Sequence, residues 1–588
     1  MRRHPAQPRR ALEHRAARQA GEPRPRDRAA HAASRRDRPL ARGGVPRHGR
    51  GAGRRRRRDD AAPPDRAHVR RLRTLGARVQ PSLRARPRQA RLREARRHRD
   101  ASRPDEPRRR DRFAGGRRRG ALGDPGAGGD GRRRAHGGAR NRVAGRSGGG
   151  RAVTLVLADA RLVDPETGRE GPGALLLRDG LIADVAWGAP PEPPEDARVV
   201  DCGGHALAPG IADLGVAVGE PGARHRESFR SAGRAAAAGG VTAFAVTPDA
   251  APPIDDPALI EFVRRRAAEA APVRVHAMGA LTKGLAGERM AELGLMADAG
   301  AVAFSDADRV VADARVFRRC LDYARGLGAL VIHHPQEPHL ADGACATESE
   351  FAGRLGLPSA PAVAERIMLE RDLALAELTG ARYHADCVTT AAGVAALRRA
   401  KEAGATVSAG VSIHHLALNE LDVGDFRTFF KLDPPLRAEA DRAAVAEAVA
   451  EGLIDVIASA HRPQDEESKR QPFEAAATGA VGLETILPAA LTLHHAGLVD
   501  LPTLFARLSL APARLLGLDC GRLSRGAPAD LVLFDPDAPY VLDRFALRSK
   551  SKNTPFDRRR MTGRALMTLV GGRVVFDRAA ETAGETAG

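Results

Sequence analysis

The chain has 588 residues and a formal charge of +22, with 3% aromatic residues and a single Trp. Residues 1–152 hold 48 Arg, no Lys and 14 acidic residues, a net of +34, whereas 153–588 hold 47 basic and 59 acidic residues, a net of −12. No apolar run has the length of a membrane span or the character of a signal peptide. The five Cys (Cys202, Cys320, Cys345, Cys387, Cys520) are odd in number and lack a CxxC, which points to reduced thiols in a cytoplasmic protein and away from a disulfide frame or zinc ribbon.

The arginine block comes first. Every Trp, Tyr and Cys lies after residue 152, and Phe113 is the only aromatic before it, so this segment has almost nothing with which to build a core and is expected to be a disordered extension. A nucleic-acid arm would mix Lys with Arg and add stacking aromatics; a transit peptide would be shorter and poor in acids. Arg, Ala, Gly and Pro without Lys are what GC-rich DNA encodes in a wrong frame. Back-translating Ala101 to Phe113 (ASRPDEPRRRDRF) and shifting by one base permits HPGPMNRGVEID. The same shift over Leu122 to Asn141 permits SAIREQVEMGVAVRMAVLE, and over Leu75 to His98 it permits SEREYNRLYGLDRDKLAYAKPDAI. In that order the fragments resemble the C-terminal part of aspartate carbamoyltransferase. A GTG codon at Val153 followed by the first two bases of Thr154 gives an overlapping stop in the shifted frame. The expectation is that 1–152 is out-of-frame translation from a wrong start, with no nucleic-acid role, and that the natural protein begins at Val153.

From Val153 to about residue 207 apolar alternation with Gly and Asp turns predicts a hairpin-rich β lobe, followed internally by a Pro-rich link, APPEPPEDA. From 208 to 516, strand-like runs (VTAFAV, VRVHAMG, AVAFS, ALVIHH, ARYHADCV, ATVSAGVS, DVIASA) alternate with helical stretches such as AVAERIMLERDLALAELTG. This α/β alternation predicts a (β/α)8 TIM-like barrel with its site at the strand C-termini, a doubly wound sheet being the alternative. Residues 517–588 return to short strands, ADLVLFDPD and ALMTLVGGRVVFD, and are expected to complete the β lobe.

Several motifs follow in order: APG at 208–210, EPG at 220–222, AAAGGVT at 236–242, GALTKGLAGE at 279–288, AGAVAFSD at 299–306, KLDPPLR at 431–437, VGLETILP at 481–488, ADLVLFD at 529–535 and NTPF at 553–556. Through them the span from about 155 to 577 resembles the dihydroorotase group of the amidohydrolase superfamily. The resemblance implies an amidohydrolase-type barrel and a zinc-bound hydroxide acting on a cyclic amide, with His and carboxylate ligands and an Asp that shuttles the proton.

The positions that would carry this chemistry are altered. The two His of the first-strand His-x-His pair are Gly215 and Ala217, and the substrate-gripping Arg is Gly219. The Asn of the family's PNT motif is Asp249, a later ligand His is Cys387, and ATDHAPH reads ASAHRPQ, so the catalytic Asp is Ala460. His333, Asp306, Asp249 and His461 remain as site-like residues. Without the first-strand ligands, the His pairs at 333, 414 and 494 read as structural or surface residues, and Cys387 as a small buried apolar residue. The resemblance then implies a member of the subgroup with eroded metal sites that associates with aspartate carbamoyltransferase, oligomeric, without membrane or nucleic-acid partners and with no cofactor expected. The rival is an active dihydroorotase or other cyclic amidohydrolase, which would require zinc.

Overall fold

The computed structural model describes residues 154–188 and 193–581. The disordered-extension and wrong-start readings of 1–152 lie outside the described residues.

The alternation near the start forms three antiparallel strands, Leu155–Asp164, Arg169–Arg178 and Leu181–Trp187. At the first turn the Asp164 carboxylate accepts from the Glu166 N–H at 3.2 Å and the Thr167 hydroxyl at 2.7 Å, a local bond that favours the reversal. The short strands Arg198–Asp201 and Ala206–Pro209 return parallel to Leu155–Asp164. Near the other end Leu531–Val541, Arg560–Val570 and Arg573–Asp577 pair antiparallel, and Leu531–Val541 pairs with Ala206–Pro209. Both ends thus build one eight-stranded sheet, over a core that includes Leu157, Leu162, Leu175, Ile182 and Leu531. Each such fully buried side chain contributes about 1.5–3 kcal/mol. Residues Ala208 and Pro209 pair with Val532 and Leu531, so the N-terminal part of this lobe runs past the boundary at 207 expected from the sequence.

Between these strands the chain alternates parallel strands with helices. Ile211–Val216, Val241–Val246 and Arg274–Ala277 form one sheet. Gly279–Ala280, Phe304–Ser305, Leu330–His333, Arg382–Ala385, Val407–Ser412 and Val456–Ala458 form a second. The strand order never reverses, unlike that of a doubly wound sheet. The two sheets meet at both edges: the Met278 N–H donates to the Val246 carbonyl at 3.0 Å, and the Ala217 N–H donates to the His461 carbonyl at 2.9 Å. Leu214, Ala245, Met278, Ala303, Ile332 and Val456, all on or next to these strands, pack into one cluster.

The helices follow ordinary local rules. Ala314–Leu327 begins where the Asp313 carboxylate accepts from the Arg315 and Val316 N–H groups, and it ends at Gly328 with φ +66°. Its buried residues Phe317, Cys320, Leu321 and Ala324 repeat at helical spacing. The lobe is fastened to the parallel strands by Arg274, whose guanidinium donates to both Asp530 oxygens at 2.6 and 3.1 Å, and to the helix Phe229–Ala238 by the Thr568 hydroxyl, which donates to the Ala237 carbonyl at 2.7 Å.

Candidate functional site

A cavity opens at the C-terminal ends of the parallel strands, where loop residues are free to vary while the strands hold position. Gly215 and Ala217 at the end of the first strand, Cys387 and Ala460 all line it. Four positions that the sequence marks as having lost their chemistry therefore converge on one place. Gly219 does not line it: a Cβ there would meet the Ala223 carbonyl oxygen at 2.2 Å, so the local turn excludes any side chain.

The loss at Gly215 extends to the backbone. This residue has φ +99°, and the strand register shifts between Leu214 and Val216. A His-x-His pair needs extended backbone so that side chains two apart point the same way, and φ +99° breaks that alternation. Ala460 also takes a left-handed conformation, φ +45°.

The residual site-like residues separate into scaffold and mouth. His333 does not line the cavity: its Nε2 accepts the Val311 N–H at 3.0 Å, leaving Nδ1 to donate to Asp372 at 2.7 Å. Both nitrogens are spent. Asp306 accepts the Leu281 and Thr282 N–H groups, each at 2.9 Å, and the Thr282 hydroxyl, and burial raises its pKa. His461 does line the cavity, but its Nδ1 accepts the Gly482 N–H at 3.2 Å, and its Nε2 faces the buried Glu227 at 3.6 Å. Asp249 accepts the Thr247 hydroxyl at 2.5 Å and pairs with Arg462 at 2.6 Å.

The mouth is furnished by residues to which the sequence assigns no role in the site, among them two imidazoles, His334 and His414, read from the sequence as structural or surface residues. Arg462, Asp308, Asp386, Asp433, His334 and His414 all line it. The Arg462 guanidinium lies 2.6 Å from Asp249 and 3.4 Å from Asp308; burial opposes its charge, and these carboxylates more than offset that, holding its pKa above the usual value. Asn553 of NTPF fixes the loop that carries Arg462: its amide donates to the Arg462 and Gly479 carbonyls at 3.1 and 3.0 Å and accepts the Gln464 N–H at 3.1 Å. One signal for this mouth was legible, the Arg in ASAHRPQ where the family motif has Ala. Of its Asp partners, Asp249 is marked in the sequence at the altered PNT position, whereas Asp308, outside any motif, left no signal.

A catalytic zinc requires three well-placed donors and an open water position. Here Gly215 and Ala217 have no donor, both His333 nitrogens are occupied, and burial, with the Asp386 charge, pushes the Cys387 thiol far up, so it stays protonated. No group of three or more His, Cys, Asp or Glu among the described residues is arranged to hold a metal ion. The donor set does not fit the metal, and at position 460 a methyl group stands where a proton shuttle would be needed.

Residues 204–392 match the model of the dihydro-orotase-like family. The chain is 42% identical over 425 residues to a dihydroorotase of Anaeromyxobacter dehalogenans, an alignment covering 72% of this chain and 98% of that protein. It is 39% identical over 425 residues to a dihydroorotase-like protein of Pseudomonas aeruginosa, covering 72% of this chain and 100% of the relative. Among solved structures it resembles an L-hydantoinase (dihydropyrimidinase) of Arthrobacter aurescens with a TM-score of 0.66 and 25% identity, over 72% of this chain and 96% of that one. A dihydropyrimidinase of Brevibacillus agri shares the fold at a TM-score of 0.63, with 21% identity over 72% of this chain and 95% of that one. The chain belongs to the dihydroorotase-like family and has an amidohydrolase-type fold.

Proposed function

We propose that this chain is a non-catalytic dihydroorotase-like protein of pyrimidine biosynthesis that acts as a structural or regulatory partner of aspartate carbamoyltransferase. The observation that carries the reading is the first-strand end. Gly215 and Ala217 supply no donor, and φ +99° at Gly215 removes the backbone geometry that a His-x-His pair needs. Ala460 removes the proton shuttle from the same cavity. The carbamoyltransferase-like fragments in the shifted frame before Val153 supply the partner, since overlapping genes favour co-translation of proteins that work together.

The parallel strands are read as a closed (β/α)8 barrel. Support comes from the hydrogen bonds at both sheet edges, the shared cluster of inward residues and the likeness to the L-hydantoinase. The protein is placed in the cytoplasm, a reading supported by five free, buried cysteines. No helix among the described residues is long and apolar enough to cross a membrane.

Copurification tests the partnership. The carbamoyltransferase from the same genome is expected to elute with this chain and to shift to a smaller assembly when the chain is deleted. A carbamoyltransferase that keeps its size and activity without the chain contradicts it. A second reading, an active zinc-dependent dihydroorotase, is favoured by the names of several relatives at about 40% identity, and turnover decides it.

A further inference from the structure

The carboxylates around the parallel strands fall into two groups, one buried in the scaffold and one lining the cavity. Those of the scaffold are saturated: Asp213 accepts the Ser459 N–H and hydroxyl, Glu365 accepts the Thr389 and Thr390 N–H groups and hydroxyls, and Asp372 accepts from Arg371 and Tyr383 and pairs with His333. Those of the cavity are not. No donor among the described residues reaches the Asp386 carboxylate within hydrogen-bond distance; Asp433 has only His334, at 3.7 Å, and Asp308 only Arg462, at 3.4 Å. These three are only partly buried, with 41% of the Asp433 side chain and 36% of the Asp308 side chain exposed, and all three line the cavity.

A second observation is independent of the acids. His414, 1% exposed, lines the same cavity with neither ring nitrogen hydrogen-bonded, its ring stacked on Phe556 at 5.7 Å. The His334 Nε2 is likewise without a hydrogen bond. Unpaired polar atoms at this depth are costly unless something occupies the space between them.

We propose that the mouth is a binding site for a small cation bearing an amine or guanidinium, whose N–H groups would be shared among Asp308, Asp386, Asp433 and the free nitrogen of His414. The inference rests on the non-catalytic reading, because a catalytic site would use this space for its own substrate. The charges set the class of ligand. The carboxylates of Asp249, Asp308, Asp386 and Asp433 surround one permanent cation, Arg462, already engaged by two of them, and the position of the family's carboxylate-gripping Arg is Gly219, which cannot carry a side chain. A dicarboxylate entering this mouth meets like charge; an amine or guanidinium meets opposite charge and idle acceptors.

Calorimetric titration of the full chain with agmatine, and separately with N-carbamoyl-L-aspartate, tests this. The expected result is saturable agmatine binding that weakens with salt and falls about tenfold or more in Asp386→Asn and in Asp433→Asn, with no measurable dicarboxylate binding. A thermal melt of each variant separates lost binding from lost folding, and His414→Phe, which keeps the stacking ring, provides a variant independent of charge. Preference for the dicarboxylate, absence of saturable agmatine binding, or binding unchanged in all three variants overturns the proposal. The outcome is independent of the carbamoyltransferase, so failure here is distinguishable from failure of the partnership.

Discussion

Arg462 stands where the family motif has Ala, and its guanidinium now closes a set of charges that would otherwise repel one another. With Asp249 at 2.6 Å and Asp308 at 3.4 Å, removing it leaves two carboxylates facing each other at the cavity wall. The Arg462 side chain is 25% exposed, which puts the pair between an exposed one, worth about 0–1 kcal/mol, and a buried one, whose breakage costs about 3–5. Arg462→Met is expected to lower unfolding stability by about 2 kcal/mol in a urea titration, and Asp249→Asn in the same background to recover part of it. Single residues also set the pH response. Burial holds the imidazoles of His276 and His415 near a pKa of about 4 and those of His384 and His414 near about 3. The unfolded chain therefore binds protons on these groups below about pH 6.5 that the folded chain does not, and stability falls as the pH drops from there to about 4. Asp213 and Glu484 act oppositely: burial raises their pKa values to about 6 and about 7, so the stability they contribute is present below their ordinary values and lost as the pH rises through the raised ones. Asp306 and Asp386, raised by burial, and His334, which Asp433 holds above its ordinary value against burial, act in the same sense as Asp213 and Glu484. His384→Gln removes one imidazole of the first set, so its urea midpoint is expected to lose less than the parent's on acidification from about pH 6.5 to about 4; an equal loss in both contradicts the assignment. The sequence identified which positions had lost donors, because a missing donor is a property of the residue itself. It did not distinguish His333 from His334, because consecutive residues at a strand end face opposite ways and only the fold decides which enters the cavity.

At the scale of elements, the strands were legible and their ends were not. Runs such as VTAFAV and ATVSAGVS became Val241–Val246 and Val407–Ser412 because apolar and β-branched residues suit strands buried on both faces. The bulge at Gly215 follows from a hydrogen-bond shift between neighbouring strands, and the left-handed turn at Ala460 from the path of the loop after Val456–Ala458; neither has a residue signature. That loop depends on a distant element. Asn553, next to the lobe, makes three hydrogen bonds to the 462–479 region, so Asn553→Ala should destabilise the protein by about 2–3 kcal/mol. Faster amide exchange at Gln464, whose N–H the Asn553 side chain accepts, with little change at Leu175 in the lobe sheet, is the expected local signature. Uniform exchange across the molecule would show instead that Asn553 serves global stability and not the loop.

Over the whole molecule, the order of motifs from APG to NTPF foretold an amidohydrolase-type arrangement, and both ends of the described chain do meet in one sheet. The +22 charge says little about the region that holds the described residues, since 153–588 carry a net of −12. What the fold adds is that the altered positions lie together. Gly215, Ala217, Cys387 and Ala460 surround one cavity that retains its place at the strand ends while Arg462 and a ring of carboxylates occupy its wall. A pocket in an amidohydrolase-type fold that loses its chemistry becomes free to serve another role. The most direct measurement is dihydroorotate hydrolysis by the full chain with zinc supplied, followed through ring opening, with the metal content of the same sample determined. The account predicts no turnover above the uncatalysed rate and no stoichiometric zinc; turnover accompanied by stoichiometric zinc would contradict it.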